Sequence, residues 1–406
     1  MKKIISKNKP EKNVFSTRET ILVSLMTLMV GLIIGVLLNK TKIITKSSFV
    51  EDKYINEFAK NYYYIINNYY DKVDNQKLIN GAISGMADAL GDPFSTYIDE
   101  NDSNTFNATL NGSYSGVGIQ IAQDKDNNII VTAVFKDSPA EKAGIVPGDK
   151  LLSVNEKTSK ENDVSKLAAE IRNAKDKNIK LKIERDGEEK NITVQRDMVI
   201  LKSVKSETYD INDKKVGYIF INIFANNTYG QFKKELDKLE KEKIDYLIID
   251  VRGNTGGHLT SIDSILDLFL NTKHIMYQFD EKGKITKIRG TGNEKKNYEI
   301  ILLGNEDSAS ASEVLISSIK ENLNAKFIGK KTYGKGTVQE LKKLTDGTQF
   351  KITVKKWLTP KGNWINDTKG IVPDIEVELD EKYYDTYKDE DDTQLQRAFD
   401  YIRKGE

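Results

Sequence analysis

Three apolar runs, at 217–223, 246–251 and 299–303, are each followed closely by a segment of helical periodicity, at 229–243, 258–270 and 311–322. That order constrains the chain more than any other feature. Parallel neighbours cannot be joined by a tight turn and need a crossover, so the pattern predicts a βαβαβα unit with a parallel sheet. The run from Tyr246 to Val251 is apolar almost throughout, as expected of a strand buried on both faces. In open sheets of this kind ligands gather beyond the carboxyl ends of the strands, so chemistry is expected just after 251 and 303.

Small-residue elements occupy both places. After the third strand, 305–339 reads NEDSASASEVLISSIKENLNAKFIGKKTYGKGTVQ, with a serine cluster opening a helix and a glycine-flanked lysine about one strand later. The chain has no cysteine, and its histidines are His258 and His274. A cysteine nucleophile and zinc sites built on paired cysteines or His-Glu-x-x-His are thereby excluded, and a Ser-His-Asp triad would need one of two histidines. A Ser/Lys pair needs neither residue type. Lysine accepts a proton near neutrality only if burial or a neighbouring cation disfavours its ammonium form. Gly334 and Gly336 allow close backbone approach around Lys335. Ser310 stands between Ala309 and Ala311 at a helix start, where the Ala311 amide can donate to an oxyanion. Taken alone, Ser310-Ala-Ser-Glu313 reads first as a capping box. Spacing does not choose among Ser308, Ser310 and Ser312.

The pair Ser-Ala-Ser-Ala-Ser-Glu and Thr-Tyr-Gly-Lys-Gly-Thr-Val-Gln resembles the carboxy-terminal processing peptidases, PDZ-containing serine peptidases with a Ser/Lys dyad. The resemblance implies a crotonase/Clp-like α/β peptidase core over 201–380, with Ser310 as nucleophile, Lys335 as base and Gln339 orienting the lysine. The glycine-rich turn from Ile248 to Gly257 resembles the family's Asp-Leu-Arg-x-Asn-x-Gly-Gly segment, with Val251 in place of leucine and Thr255 where proline is often seen. That likeness implies that Gly256 or Gly257 supplies the second oxyanion donor beside Ala311. Asp250 and Arg252 are expected to form a structural ion pair, and His258 to be structural. No metal or organic cofactor is required.

From 112 to 197 the pattern changes to short strands and turns, a β-rich α+β unit. Gly116-Val117-Gly118-Ile119, together with the segments 131–149 and 151–155, resembles a PDZ domain whose glycine loop cradles a chain-terminal carboxylate. The expected partners are protein or peptide substrates with apolar C-termini. Arg172 ends a helix in this domain and reads either as a solvated surface charge or as a regulatory relay to the catalytic core. Asn173 follows it where the family pattern often continues with glycine.

Before the PDZ domain, residues 1–19 are basic and 20–38 are uncharged and apolar over about the length needed to cross a bilayer. A single-pass anchor is expected, with the N-terminus cytoplasmic and the catalytic region extracytoplasmic, because positive charge is denser before the run than after it. No small-x-small cleavage motif follows the run, which favours an anchor over a cleaved signal peptide. In 48–111, Ile55, Phe58, Tyr62, Ile65 and Tyr69 recur at helical spacing and read either as a core stripe or as a dimerisation face. The segment after them ends in Asp92-Pro-x-Ser95-x-Tyr97, again resembling the family, which implies a homodimer and allows for a regulatory partner protein.

With a formal net charge of +1, the chain carries no electrostatic footprint for nucleic acid. The tail 381–406 is expected to comprise an acidic mobile linker and a short amphipathic helix. The expected fold class is therefore multidomain α/β with an N-terminal transmembrane helix. The expected function is that of an anchored serine endopeptidase, the rival being a noncatalytic PDZ scaffold on a decayed peptidase fold.

Overall fold

The computed structural model describes residues 53–160, 163–292, 296–344 and 347–405. The expected anchor at 20–38 lies outside the described residues, and among those described no helix is long and apolar enough to cross a membrane. The chain divides into two compact units, Met1–Ile83 and Ser84–Glu406.

In the first unit the helix Lys53–Asn68 carries the expected aromatic stripe, yet none of its residues is buried. Ile55, Phe58 and Ile65 are exposed and Tyr62 is half-buried, while Tyr69 follows the helix.

The second unit holds the peptidase sheet. Its strands run in the order Val204–Ile211, Lys214–Ile221, Tyr246–Asp250, Glu299–Gly304, Lys326–Gly329 and Ile375–Glu376. The first pair is antiparallel and the remaining pairs are parallel. Crossover helices Thr228–Lys241, Leu259–Leu266 and Ala311–Leu323 give the expected βαβαβα order. Alternation along the central strands sorts their side chains onto two faces. Leu247, Ile249, Ile300 and Leu302 join the core beneath the crossover helices. Ile248, Ile301 and Leu303 face the other way, onto Leu395, Ala398, Phe399, Tyr401 and Ile402 of the C-terminal helix Thr393–Lys404.

The C-terminal helix is thus the cover of the second sheet face. The acidic run before it, expected as a mobile linker, is ordered. It forms the helix Glu381–Thr386 and a short 3-10 turn, Asp389–Asp391. The reason is charge pairing. Asp392 is buried and meets the Arg252 guanidinium through two oxygens, both at 2.8 Å.

A second sheet of Thr96–Ile98, Gln349–Leu358, Ile275–Glu281 and Lys284–Arg289, with Thr337–Lys343 paired to Gln349–Leu358, stands beside the reactive loops. The PDZ region is a five-strand antiparallel path from Ile119–Gln123 to Glu188–Gln195, with Lys157–Thr158 at one edge and its own apolar core. The chain enters and leaves it through paired strands Ser113–Gly116 and Asp197–Ile200. Asp149, fully buried there, is held by Arg185 and by the Val146 amide.

Candidate active site

The site is assembled where two adjacent parallel strands end. Beyond Asp250 the chain turns through 251–257, and beyond Gly304 it turns through 305–310 into the helix Ala311–Leu323. Two serines of the cluster bind these turns together. The Ser308 hydroxyl donates to the Val251 carbonyl (2.8 Å), and the Ser312 hydroxyl donates to the Asn254 carbonyl (2.7 Å). Both are fully buried, whereas Ser310 is partly exposed. Of the three serines that spacing leaves open, Ser310 is the one whose side chain is not fully buried. Ser310 adopts φ 55° and ψ −112°, left-handed backbone that a serine occupies only under tertiary constraint.

Glycine is required opposite it. A Cβ on Gly256 (φ 109°) would stand 2.9 Å from the Ser310 Cβ and 3.1 Å from the Ala311 nitrogen. At Gly257 (φ 141°) it would stand 2.2 Å from the Phe224 carbonyl. The Gly256 amide donates to the Asn254 side-chain oxygen at 2.9 Å. Among the described residues the Gly257 and Ala311 amides carry no hydrogen bond.

Glu313 joins the nucleophile's helix to the lysine loop. Its buried carboxylate accepts from the Ser310 amide (2.8 Å), the Thr332 hydroxyl (2.6 Å), the Gly334 amide (2.7 Å) and the Lys335 amide (2.9 Å). Burial pushes its carboxyl above the usual range, and those four donors oppose the shift. The bond to the Ser310 amide is the back-reaching half of a capping box, so the capping and catalytic readings describe one structure. Two indoles fix the rest of the loop. Trp357 Nε1 donates to the Lys335 carbonyl (2.8 Å), and Trp364 Nε1 donates to the Gly336 carbonyl (2.9 Å).

Lys335 is half-buried, with its Nζ 4.7 Å from the centre of the Phe94 ring. Burial, then the neighbouring Lys351 ammonium, pull its pKa below that of an ordinary lysine, against Asp92 and Glu313. Among the described residues no hydrogen bond joins Lys335 to Ser310 in this arrangement. Nor, among the described residues, is Gln339 hydrogen-bonded to Lys335. Its amide nitrogen donates to the hydroxyls of Thr337 (2.9 Å) and Thr353 (3.1 Å), leaving its carbonyl oxygen unbonded.

Other expected residues lie elsewhere. Gly116, Val117, Gly118 and Ile119 lie at the junction of the first two PDZ-region strands, with Val117 buried and Gly118 at φ 87°. The Val117 carbonyl accepts from the Ala140 amide, and the Gly118 carbonyl from the Phe135 amide. Arg172 ends the helix Val164–Asn173, and its guanidinium makes no hydrogen bond or ion pair among the described residues. Its carbonyl is bound by Arg196. Asp250 and Arg252 form the expected ion pair, extended to Asp392 and to the Gln394 side chain. His258 is half-buried, with its imidazole held below the usual range by desolvation, and among the described residues it is hydrogen-bonded to neither Ser310 nor Lys335.

An α/β sheet whose strand-end loops carry Ser310 and Lys335, in a chain that also holds a PDZ-like sheet, is matched among known proteins by a class of serine peptidase. Residues 215–377 match the model for peptidase family S41, 130–185 match a PDZ domain, and 37–102 match the N-terminal domain of the activating protease CtpB. The chain is 38% identical over 329 residues to the carboxy-terminal processing protease CtpB of Bacillus subtilis, covering 80% of this chain and 68% of that protein. It is 36% identical over 350 residues to CtpA of the same organism, covering 86% and 74%. A solved photosystem II D1 C-terminal processing protease is similar at 23% identity and TM-score 0.48, covering 82% of this chain and 88% of that one. The chain belongs to peptidase family S41, as a PDZ-containing carboxy-terminal processing serine protease.

Proposed function

We propose that this protein is a membrane-anchored, extracytoplasmic endopeptidase that captures protein C-terminal tails in its PDZ domain and cleaves them through an acyl-enzyme on Ser310. Lys335 as free base takes the Ser310 proton while Oγ attacks the scissile carbonyl. The Ala311 and Gly257 amides receive the oxyanion, and collapse of the tetrahedral intermediate releases the leaving amine, which takes the proton from Lys335. Water then cleaves the ester by the same path in reverse. Gln339 orients the lysine through its unbonded carbonyl oxygen once the ammonium forms. The observation that carries this reading is the half-buried Lys335, held by its own backbone to the carboxylate that binds the Ser310 amide.

The glycine loop 116–119 supplies the cradle for a terminal carboxylate, and an apolar last side chain suits a pocket of this kind. Arg172 would serve as the regulatory relay between this domain and the core. The exposed stripe of Ile55, Phe58 and Ile65 supports a homodimer formed through the N-terminal helices. The run 20–38 would hold the chain in the cell membrane with its N-terminus cytoplasmic. A regulatory partner protein and substrates with apolar C-termini complete the proposed set of partners.

Labelling of the full chain with a fluorophosphonate probe, followed by peptide mapping, tests the nucleophile. Modification confined to Ser310, and absent in Lys335→Ala, is expected; modification of another serine, or none in the wild type, contradicts the assignment. Deleting 112–197 is expected to abolish binding of an apolar C-terminal peptide, and unchanged binding would remove the PDZ role.

A further inference from the structure

The Asp92–Ser95 turn is more than two hundred residues from either reactive loop in sequence, yet it is fastened beside the lysine. The Phe94 ring meets Lys335 Nζ at 4.7 Å. The Phe94 amide and the Ser95 hydroxyl both donate to the Asp92 carboxylate, at 3.1 and 2.6 Å. Ser95, itself buried, accepts from the Thr353 amide at 3.0 Å. Thr353 belongs to the strand Gln349–Leu358, and its hydroxyl is one of the two that accept from Gln339. Two residues earlier, and so on the same face of that strand, stands Lys351. Lys351 is paired in register with Thr96, and its Nζ lies 5.7 Å from the Phe106 ring. One turn and one strand thus deliver a ring, a carboxylate and a second ammonium to the neighbourhood of Lys335.

We propose that Asp92, Phe94 and Lys351 are positioning residues for Lys335, with the ring seating the ammonium and the two opposed charges setting the balance between its protonated and free-base forms. The inference rests on the reading of Lys335 as the base. The charged groups facing Lys335 are Asp92 from the turn, Lys351 from the strand and Glu313 from the nucleophile's helix. Lys351 disfavours the ammonium, Asp92 and Glu313 favour it, and an aromatic face attracts a cation. Glu313 is already held by four donors, which leaves Asp92 and Lys351 as the adjustable pair. Lys351 is itself half-enclosed, and desolvation lowers its pKa against the pull of Asp92.

The test is the pH dependence of fluorophosphonate labelling of Ser310 in the full chain, read as the midpoint of the acid limb. Removing the second cation in Lys351→Met is expected to move the midpoint to higher pH. Removing the anion in Asp92→Asn is expected to move it to lower pH, and Phe94→Leu is expected to move it the same way. Lys351→Arg should restore the wild-type midpoint. Midpoints that stay fixed, or move in one direction for both charge variants, overturn the proposal while Lys335→Ala remains unlabelled. Labelling of Lys335→Ala at the wild-type rate would instead overturn the base assignment itself. Should Asp92→Asn fail to fold, judged by thermal melting, the Lys351→Met and Lys351→Arg pair decides.

Discussion

Glu313 is the residue on which the geometry of the site converges. Its one carboxylate holds the amides of both Ser310 and Lys335. Replacing it by alanine leaves four donors without their acceptor, two of them at the reacting residues, so Glu313→Ala is expected to lower stability by about 3 kcal/mol. The same change should reduce kcat at least tenfold, because it frees the loop that places the base. Thermal melting and peptide hydrolysis read the two effects separately. Lys335 carries the opposite sign. Its pKa is depressed in the folded state, so between that value and the ordinary lysine range the unfolded chain binds more protons. Stability therefore rises with pH across that window, and below it the full penalty of the half-buried ammonium is present. Lys335→Met is accordingly expected to melt higher than wild type at neutral pH while being inactive, and a lower melting temperature would contradict this.

Among the elements, the PDZ region has its own electrostatic pin in Asp149. Burial alone would raise the Asp149 carboxyl, but the Arg185 guanidinium and the Val146 amide outweigh it and hold it low. A depressed carboxyl stabilises above its unfolded pKa and loses that contribution as pH falls through the folded value. The PDZ core is therefore expected to soften in acid, and Asp149→Asn should flatten the dependence in a pH series of melts. Much of this level was legible in the sequence. The βαβαβα order followed from apolar runs and helical periods, and the glycine turns marked the strand ends. The hairpin Ile275–Glu281 with Lys284–Arg289 is not legible, because its residues alternate weakly and the strand it joins, Gln349–Leu358, is distant in sequence. For the same reason Phe94 and Asp92 are invisible as neighbours of Lys335. No local pattern reveals a contact across some 240 residues. Nor does spacing distinguish a serine whose hydroxyl ties two turns together from one left partly exposed.

At the scale of the whole molecule, the C-terminal tail completes the peptidase core. The acidic composition of 380–392 reads as a solvated linker, since a run so rich in charge cannot build a core of its own. A buried cation supplied from elsewhere, Arg252, reverses that reading, as no scan of the tail alone could show. Breaking this pair with Asp392→Ala leaves the Arg252 ion cluster short of a partner and is expected to lower stability by about 3 kcal/mol. Phe399→Ala removes a ring from beneath the second sheet face, with an expected loss of about 4 kcal/mol. Both are read from denaturant midpoints, and wild-type stability in either would show that the tail is dispensable.

The central claim is tested most directly by following cleavage of an unfolded model protein with an apolar C-terminus by the full-length chain, its Ser310→Ala variant and its Lys335→Ala variant. Cleavage by the wild type, and its loss by orders of magnitude in both variants, is expected. Full activity in Lys335→Ala would contradict the Ser/Lys assignment. Absence of cleavage in all three, with binding of the C-terminal tail retained, would make the protein a scaffold in the shape of a peptidase.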